Sequence, residues 1–95
     1  MSRALLDDVV LKLIDALLIK NGHVTSRDVY KYVGLGRQKV STLFQIYLNQ
    51  NPNSMSYVPG KRKYIVSDSF KPQFLNEDEA EIFIKSLEIV FGTFT

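Results

Sequence analysis

Arg37, Gln38, Ser41, Thr42 and Gln45 crowd into one short stretch, and no acidic residue stands among them. These side-chain types suit the edges of bases and the phosphates between them. Arginine pairs bidentately with guanine, glutamine with adenine, and serine or threonine reaches either. The stretch contains Lys39, is preceded by Arg27 and Lys31, and is followed by three consecutive cations, Lys61, Arg62 and Lys63. Catalytic chemistry has far less to work with. The chain has one histidine, His23, no cysteine, and scattered carboxylates. No convergent nucleophile, base or metal set follows from these. An enzyme is therefore not expected, nor a metal site or any cofactor.

The elements that position these residues can be read from the apolar spacing. Val40, Leu43, Phe44 and Tyr47 recur at i, i+3, i+4 and i+7, which predicts a helix with one buried face. Subtracting that face leaves the five polar residues on the other side. Upstream, Val29 and Val33 are apolar on a preceding short helix, and Gly34-Leu35-Gly36 breaks it. A glycine taking positive φ there, followed by a leucine anchored in the core, gives a helix-turn-helix over residues 25–50. Thr25 or Ser26 can cap its first helix.

Asn49 to Asn53 cannot continue the second helix. Met55-Ser56-Tyr57-Val58 and Lys63-Tyr64-Ile65-Val66 are β-prone runs around Pro59-Gly60-Lys61-Arg62, a hairpin over 54–67 with a basic tip. A hairpin directly after such a helix is a wing. The fold class expected is mainly α with a small β-hairpin, a winged helix-turn-helix in a single domain over 1–95. Backbone contacts are then expected from Arg27, Lys31, Lys39, Lys61, Arg62 and Lys63, with base contacts from the five helix residues.

Charge is distributed accordingly. From Lys20 to Gln73 nine basic residues face two acidic ones, a net +7, while the segments before and after carry −1 and −4 within the chain's total of +2. A basic middle between acidic ends is the footprint of a nucleic-acid-facing surface.

The two ends are expected to be helical, over 1–22 and 76–92. The first carries the stripe Leu6, Val10, Leu13, Ile14 and Leu17, interrupted at helical spacing by Asp7, Asp8, Lys12 and Asp15, so it is amphipathic and not a targeting or membrane segment. Asn21-Gly22 ends it. His23-Val24-Thr25 is a brief extended connector. Phe70, Phe74 and Leu75 are expected to anchor the crossing from Ser67, and Asn76 with Glu79 forms a capping box for the last helix. Both terminal helices carry more apolar surface than one small core needs. That surplus assigns a dimer interface to Leu5, Val9, Phe83, Leu87, Val90 and Phe91, with core packing as the alternative for part of it.

The span from about Val24 to Leu75 resembles the N-terminal winged helix-turn-helix domain of the BrxR/CapW-type WYL-domain transcriptional repressors associated with phage-defence islands. The likeness is carried by RDVYKYVGL, by KVSTLFQIYL, and by NPNSMSYVPGKRKYIVSDSFKPQF across wing and crossing. It implies a homodimer on an inverted-repeat operator, the second helix in the major groove and the wing on the backbone. The family continues into WYL and C-terminal domains that this sequence lacks, so ligand-controlled release is not carried over and no small-molecule ligand is evident. Gly36-Arg37 also stands where the family often has a Ser/Thr cap. The expectation is a cytoplasmic, nucleoid-associated, prokaryotic or phage regulator of double-stranded DNA, with no membrane partner. A protein-interaction winged helix, an antirepressor or an inhibitor of a related regulator, stays open beside it.

Overall fold

The computed structural model describes the backbone from Arg3 to Phe91 and side chains from Leu6 to Phe91. Four helices and three strands follow in the order α1 (Arg3–Asn21), β1 (His23–Val24), α2 (Ser26–Tyr32), α3 (Arg37–Gln50), β2 (Met55–Val58), β3 (Lys63–Val66) and α4 (Glu77–Phe91).

α1 ends where Gly22 takes φ 76° and donates its N–H to Leu18 O at 3.0 Å, a left-handed cap open to glycine at little cost. The same glycine's carbonyl accepts from Val66 N at 2.9 Å, so the helix exit leads straight into the sheet. His23 and Val24 pair antiparallel with Ile65 and Tyr64. The expected extended connector is thus a third strand, and the sheet order is β1-β3-β2.

α2 is short and held by its cap. Asp28 N donates to Thr25 Oγ1 at 3.0 Å while Thr25 N donates to Asp28 Oδ2 at 2.9 Å. The turn to α3 departs from the sequence expectation. Among the described glycines only Gly22 has positive φ. Val33 instead leaves α2 in an extended conformation (φ −135°, ψ 129°), Leu35 N closes a three-residue turn onto Val33 O at 2.9 Å, and Gly36 enters α3 at φ −70°, ψ 158°. Leu35 does pack on the core, as its position suggested.

α3 buries Val40, Leu43, Phe44 and Tyr47, the face its periodicity marked. The hairpin that follows registers Met55 with Val66, Tyr57 with Tyr64 and Val58 with Lys63. Its tip is closed by Arg62 at φ 54°, not by Gly60. For a residue with a Cβ that conformation costs roughly 1–2 kcal/mol.

α1 is the centre of the core. Every residue from Leu13 to Leu18 is buried, and α4, α3, α2 and β1 all pack against the helix. On its second apolar face Leu18 is buried, and Val9 and Ile19 are half-buried against the chain's own core. Asp15 lies inside this helix at 0% exposure and is not an interruption on a wet face. Its carboxylate accepts from Tyr47 Oη at 2.5 Å, Gln73 N at 2.9 Å, Phe74 N at 3.0 Å and Leu75 N at 2.9 Å. Four donors on two oxygens make burial of that charge tolerable. They also tie α1, α3 and the 67–75 crossing at one point. Phe74, expected as a core anchor, is 37% exposed. It contributes its backbone N–H to Asp15, while Phe70 and Leu75 pack on the core. α4 then starts from Asn76, whose Oδ1 accepts from Glu79 N at 2.8 Å and whose N donates to Glu79 Oε1 at 3.0 Å.

Candidate nucleic-acid interface

The buried stripe of α3 fixes what its opposite face presents. Arg37, Gln38, Ser41, Thr42 and Gln45 are all exposed. α3 contains no acidic residue, and no side chain caps its start at Gly36. Thr42 Oγ1 donates to Gln38 O at 2.9 Å, so its hydroxyl offers only acceptor capacity outward. Among the described residues the side chains of Arg37, Gln38, Ser41 and Gln45 have neither ion-pair nor hydrogen-bond partners in their own turns, save that Gln38 lends its backbone carbonyl to Thr42.

The cations assigned to backbone contact do not share one environment. Arg27, Lys31, Lys61 and Arg62 are exposed, and Lys63 is half-buried. Lys39 lies elsewhere: its Nζ stands 3.0 Å and 3.1 Å from the two carboxylate oxygens of Asp7, an ion pair that pins α3 to α1. The pair is partly exposed, with 40% of the Lys39 side chain open to solvent. Strand alternation separates the wing cations as well. Tyr57, Tyr64, Met55 and Val66 share the inner face of the hairpin, which leaves Lys63 on the outer one.

The inner face carries residues that sequence reasoning did not single out. Phe44 of α3 stacks on Tyr64 with centroids 4.7 Å apart and planes 7° from parallel. Tyr64 meets Tyr57 at 4.9 Å, tilted by 58°. Three rings thus run from the helix core into the wing, and the last, Tyr57, is 50% exposed. Beside it lies a cleft of about 450 Å³ lined by Thr25, Ser26, Arg27, Tyr57, Arg62 and Tyr64. The residue types were visible in the sequence, but their convergence depends on hairpin register. Burial, and then the nearby Tyr57, raises the Tyr64 hydroxyl above the ordinary phenol range. Burial and then its bond to Asp15 raise Tyr47 further. Both stay protonated at neutral pH and add no negative charge behind this surface.

The assigned dimer residues divide too. Leu87 is buried in the chain's own core, while Val9, Phe83 and Phe91 are half-buried and packed against it. The Leu5 side chain lies outside the described residues. Val90 is 71% exposed, and Ile82 (65%) and Ile89 (85%), which were not assigned, join it on α4. Among the described residues no group of three or more His, Cys, Asp or Glu could hold a metal, and no helix is long and apolar enough to cross a membrane. His23 is half-buried on β1, and its Nδ1 has no hydrogen-bond partner among the described residues.

Among curated proteins none matches the chain. The family model described as the BrxR transcriptional regulator winged helix-turn-helix domain matches residues 8–87. That span is wider than the motifs between Val24 and Leu75, and takes in most of α1 and α4. The two terminal helices are thus part of the domain, in keeping with α1 lying at the centre of its core. A three-stranded sheet on four helices, with its wing directly after an exposed polar helix face, and a match over most of the chain's length agree: this chain belongs to the BrxR transcriptional regulator winged helix-turn-helix family.

Proposed function

We propose that this chain is a sequence-specific regulator that binds double-stranded DNA with α3 in the major groove and the wing along the backbone. The observation that carries the reading is the α3 face, where base-reading side chains stand exposed with no carboxylate among them, on a scaffold of a transcriptional-regulator family. Arg37, Gln38, Ser41, Thr42 and Gln45 face base edges and neighbouring phosphates. Lys61, Arg62, Lys63, Arg27 and Lys31 lie along the backbone. Lys39, paired with Asp7, is the weakest of the six candidates for backbone contact. This reading involves no catalysis or cofactor and places the protein in the cytoplasm, at the nucleoid.

It works as a homodimeric repressor on an inverted repeat, its half-sites about one helical turn, roughly 10 bp, or a multiple of it, apart. The exposed Ile82, Ile89 and Val90 on α4 support an association surface there, in place of the wider set read from sequence. The same patch favours one second reading, in which the domain pairs with a related regulator as an antirepressor. Titration of duplex DNA at low and physiological salt separates the two. DNA binding that survives at physiological salt, and weakens on Arg37→Ala, supports the regulator. Absence of binding at either salt rejects it and favours a protein partner.

A further inference from the structure

The cleft between the wing and the start of α2 has no role in the reading above. We propose that it holds a single phosphodiester of bound duplex DNA, with Arg27 and Arg62 on the same phosphate and the Tyr57 ring against the adjoining sugar. This rests on the DNA-binding reading and deepens it.

Arg27 belongs to α2 and Arg62 to the hairpin tip, yet the two line one cleft together with Tyr57, Tyr64, Thr25 and Ser26. None of the six is acidic. Like charges brought into one cleft repel, and an anion between them turns that repulsion into attraction. The forked guanidinium matches the oxygens of a phosphate better than any other side chain does. The α2 terminus does not supply the attraction, because Thr25 and Asp28 already cap one another there. The side chains do.

Arg62 is also held at φ 54°. Glycine would take that conformation without strain, so the chain keeps a cation there against its backbone preference. Strain retained at a ligand-facing position is a pointer to function. Tyr57 gives a third line of support. It lies on the core-facing side of the hairpin but stays 50% exposed, its ring set against Tyr64, which stacks on Phe44 of α3. The clamp is therefore fixed relative to the helix that reads bases. A backbone phosphate held in it sets the depth of α3 in the groove. At about 450 Å³ the cleft has room for one phosphate and its sugar.

The test is a salt titration of the full chain on random-sequence duplex DNA, comparing wild type, Arg27→Ala, Arg62→Gly and the double variant. Arg62→Gly relieves the left-handed strain, so it melts higher than wild type, and its weaker binding is not a loss of fold. Each single variant should bind about tenfold more weakly. The decisive quantity is the slope of log affinity against log salt, which counts phosphates contacted. Two arginines on one phosphate predict that the double variant loses about one from the slope. A loss of about two means separate phosphates and overturns the proposal. Tyr57→Ala should weaken binding about tenfold with the slope unchanged, and wild-type affinity in that variant overturns the role of the ring. If wild type binds no duplex at any salt, the DNA-binding reading itself falls first.

Discussion

The junction at Asp15 and the outer face of α3 are both polar, and they treat polarity in opposite ways. At Asp15 every lone pair that matters is met from inside the chain: one tyrosine hydroxyl and three backbone N–H groups close around a fully buried carboxylate. On α3 the side chains of Arg37, Gln38, Ser41 and Gln45 are left exposed to whatever lies outside. Tyr47 joins the two regions, because it is on the buried face of the same helix. The closed junction fixes the orientation of α3, and the open face uses it. Substitutions on one side should therefore change stability, and those on the other should change binding.

The largest effect is expected at the junction. Asp15→Ala strands four donors and should lower unfolding free energy by about 3–5 kcal/mol in urea titrations. Tyr47→Phe removes one of them and should cost about 1–2 kcal/mol. A smaller loss for Asp15→Ala than for Tyr47→Phe would break the contrast. On the open face, Arg37→Ala should cost about 1–3 kcal/mol of DNA affinity and relax base preference, with the melting temperature within the scatter of repeat scans. Lys39→Ala and Lys61→Ala form a sharper pair. Lys61→Ala should weaken binding to all sequences and lower the salt slope by about one. Lys39→Ala should leave the slope alone and cost no more than about 1 kcal/mol of stability, since its ion pair with Asp7 is partly exposed. The smallest effect is alkaline. Burial and the bond to Asp15 keep the Tyr47 hydroxyl protonated in the folded chain, while the unfolded chain ionises at the ordinary value of 10.0. Its contribution is complete below that pH and declines as pH rises above it, so Tyr47→Phe should flatten stability curves measured beyond pH 10.

What could be read from sequence was local. Thr25 with Asp28 and Asn76 with Glu79 stand three residues apart, and a cap acts at that distance. The buried stripe of α3 repeats within its own turns, so the exposed face follows by subtraction. Distance along the chain hid the rest. Asp15 finds its backbone partners 58 to 60 residues away, and nothing in the α1 pattern separates a buried aspartate from a solvated one. The pairing of Lys39 was hidden because Asp7 lies 32 residues upstream. Pattern alone also cannot say that α4 lies on α1, so it could not tell which apolar residues of the terminal helices are core, like Leu87, and which stay outside, like Val90. Tyr57 was only a strand residue until hairpin register set it opposite Tyr64 beside Arg62.

The most direct test is selection of duplexes from a random pool by the wild-type chain and by Arg37→Ala, run in parallel at physiological salt. The account requires an inverted repeat from the wild type and loss of preference at one position of each half-site in the variant. The same motif from both proteins, or no motif from the wild type, would contradict the claim that the exposed face of α3 reads DNA sequence.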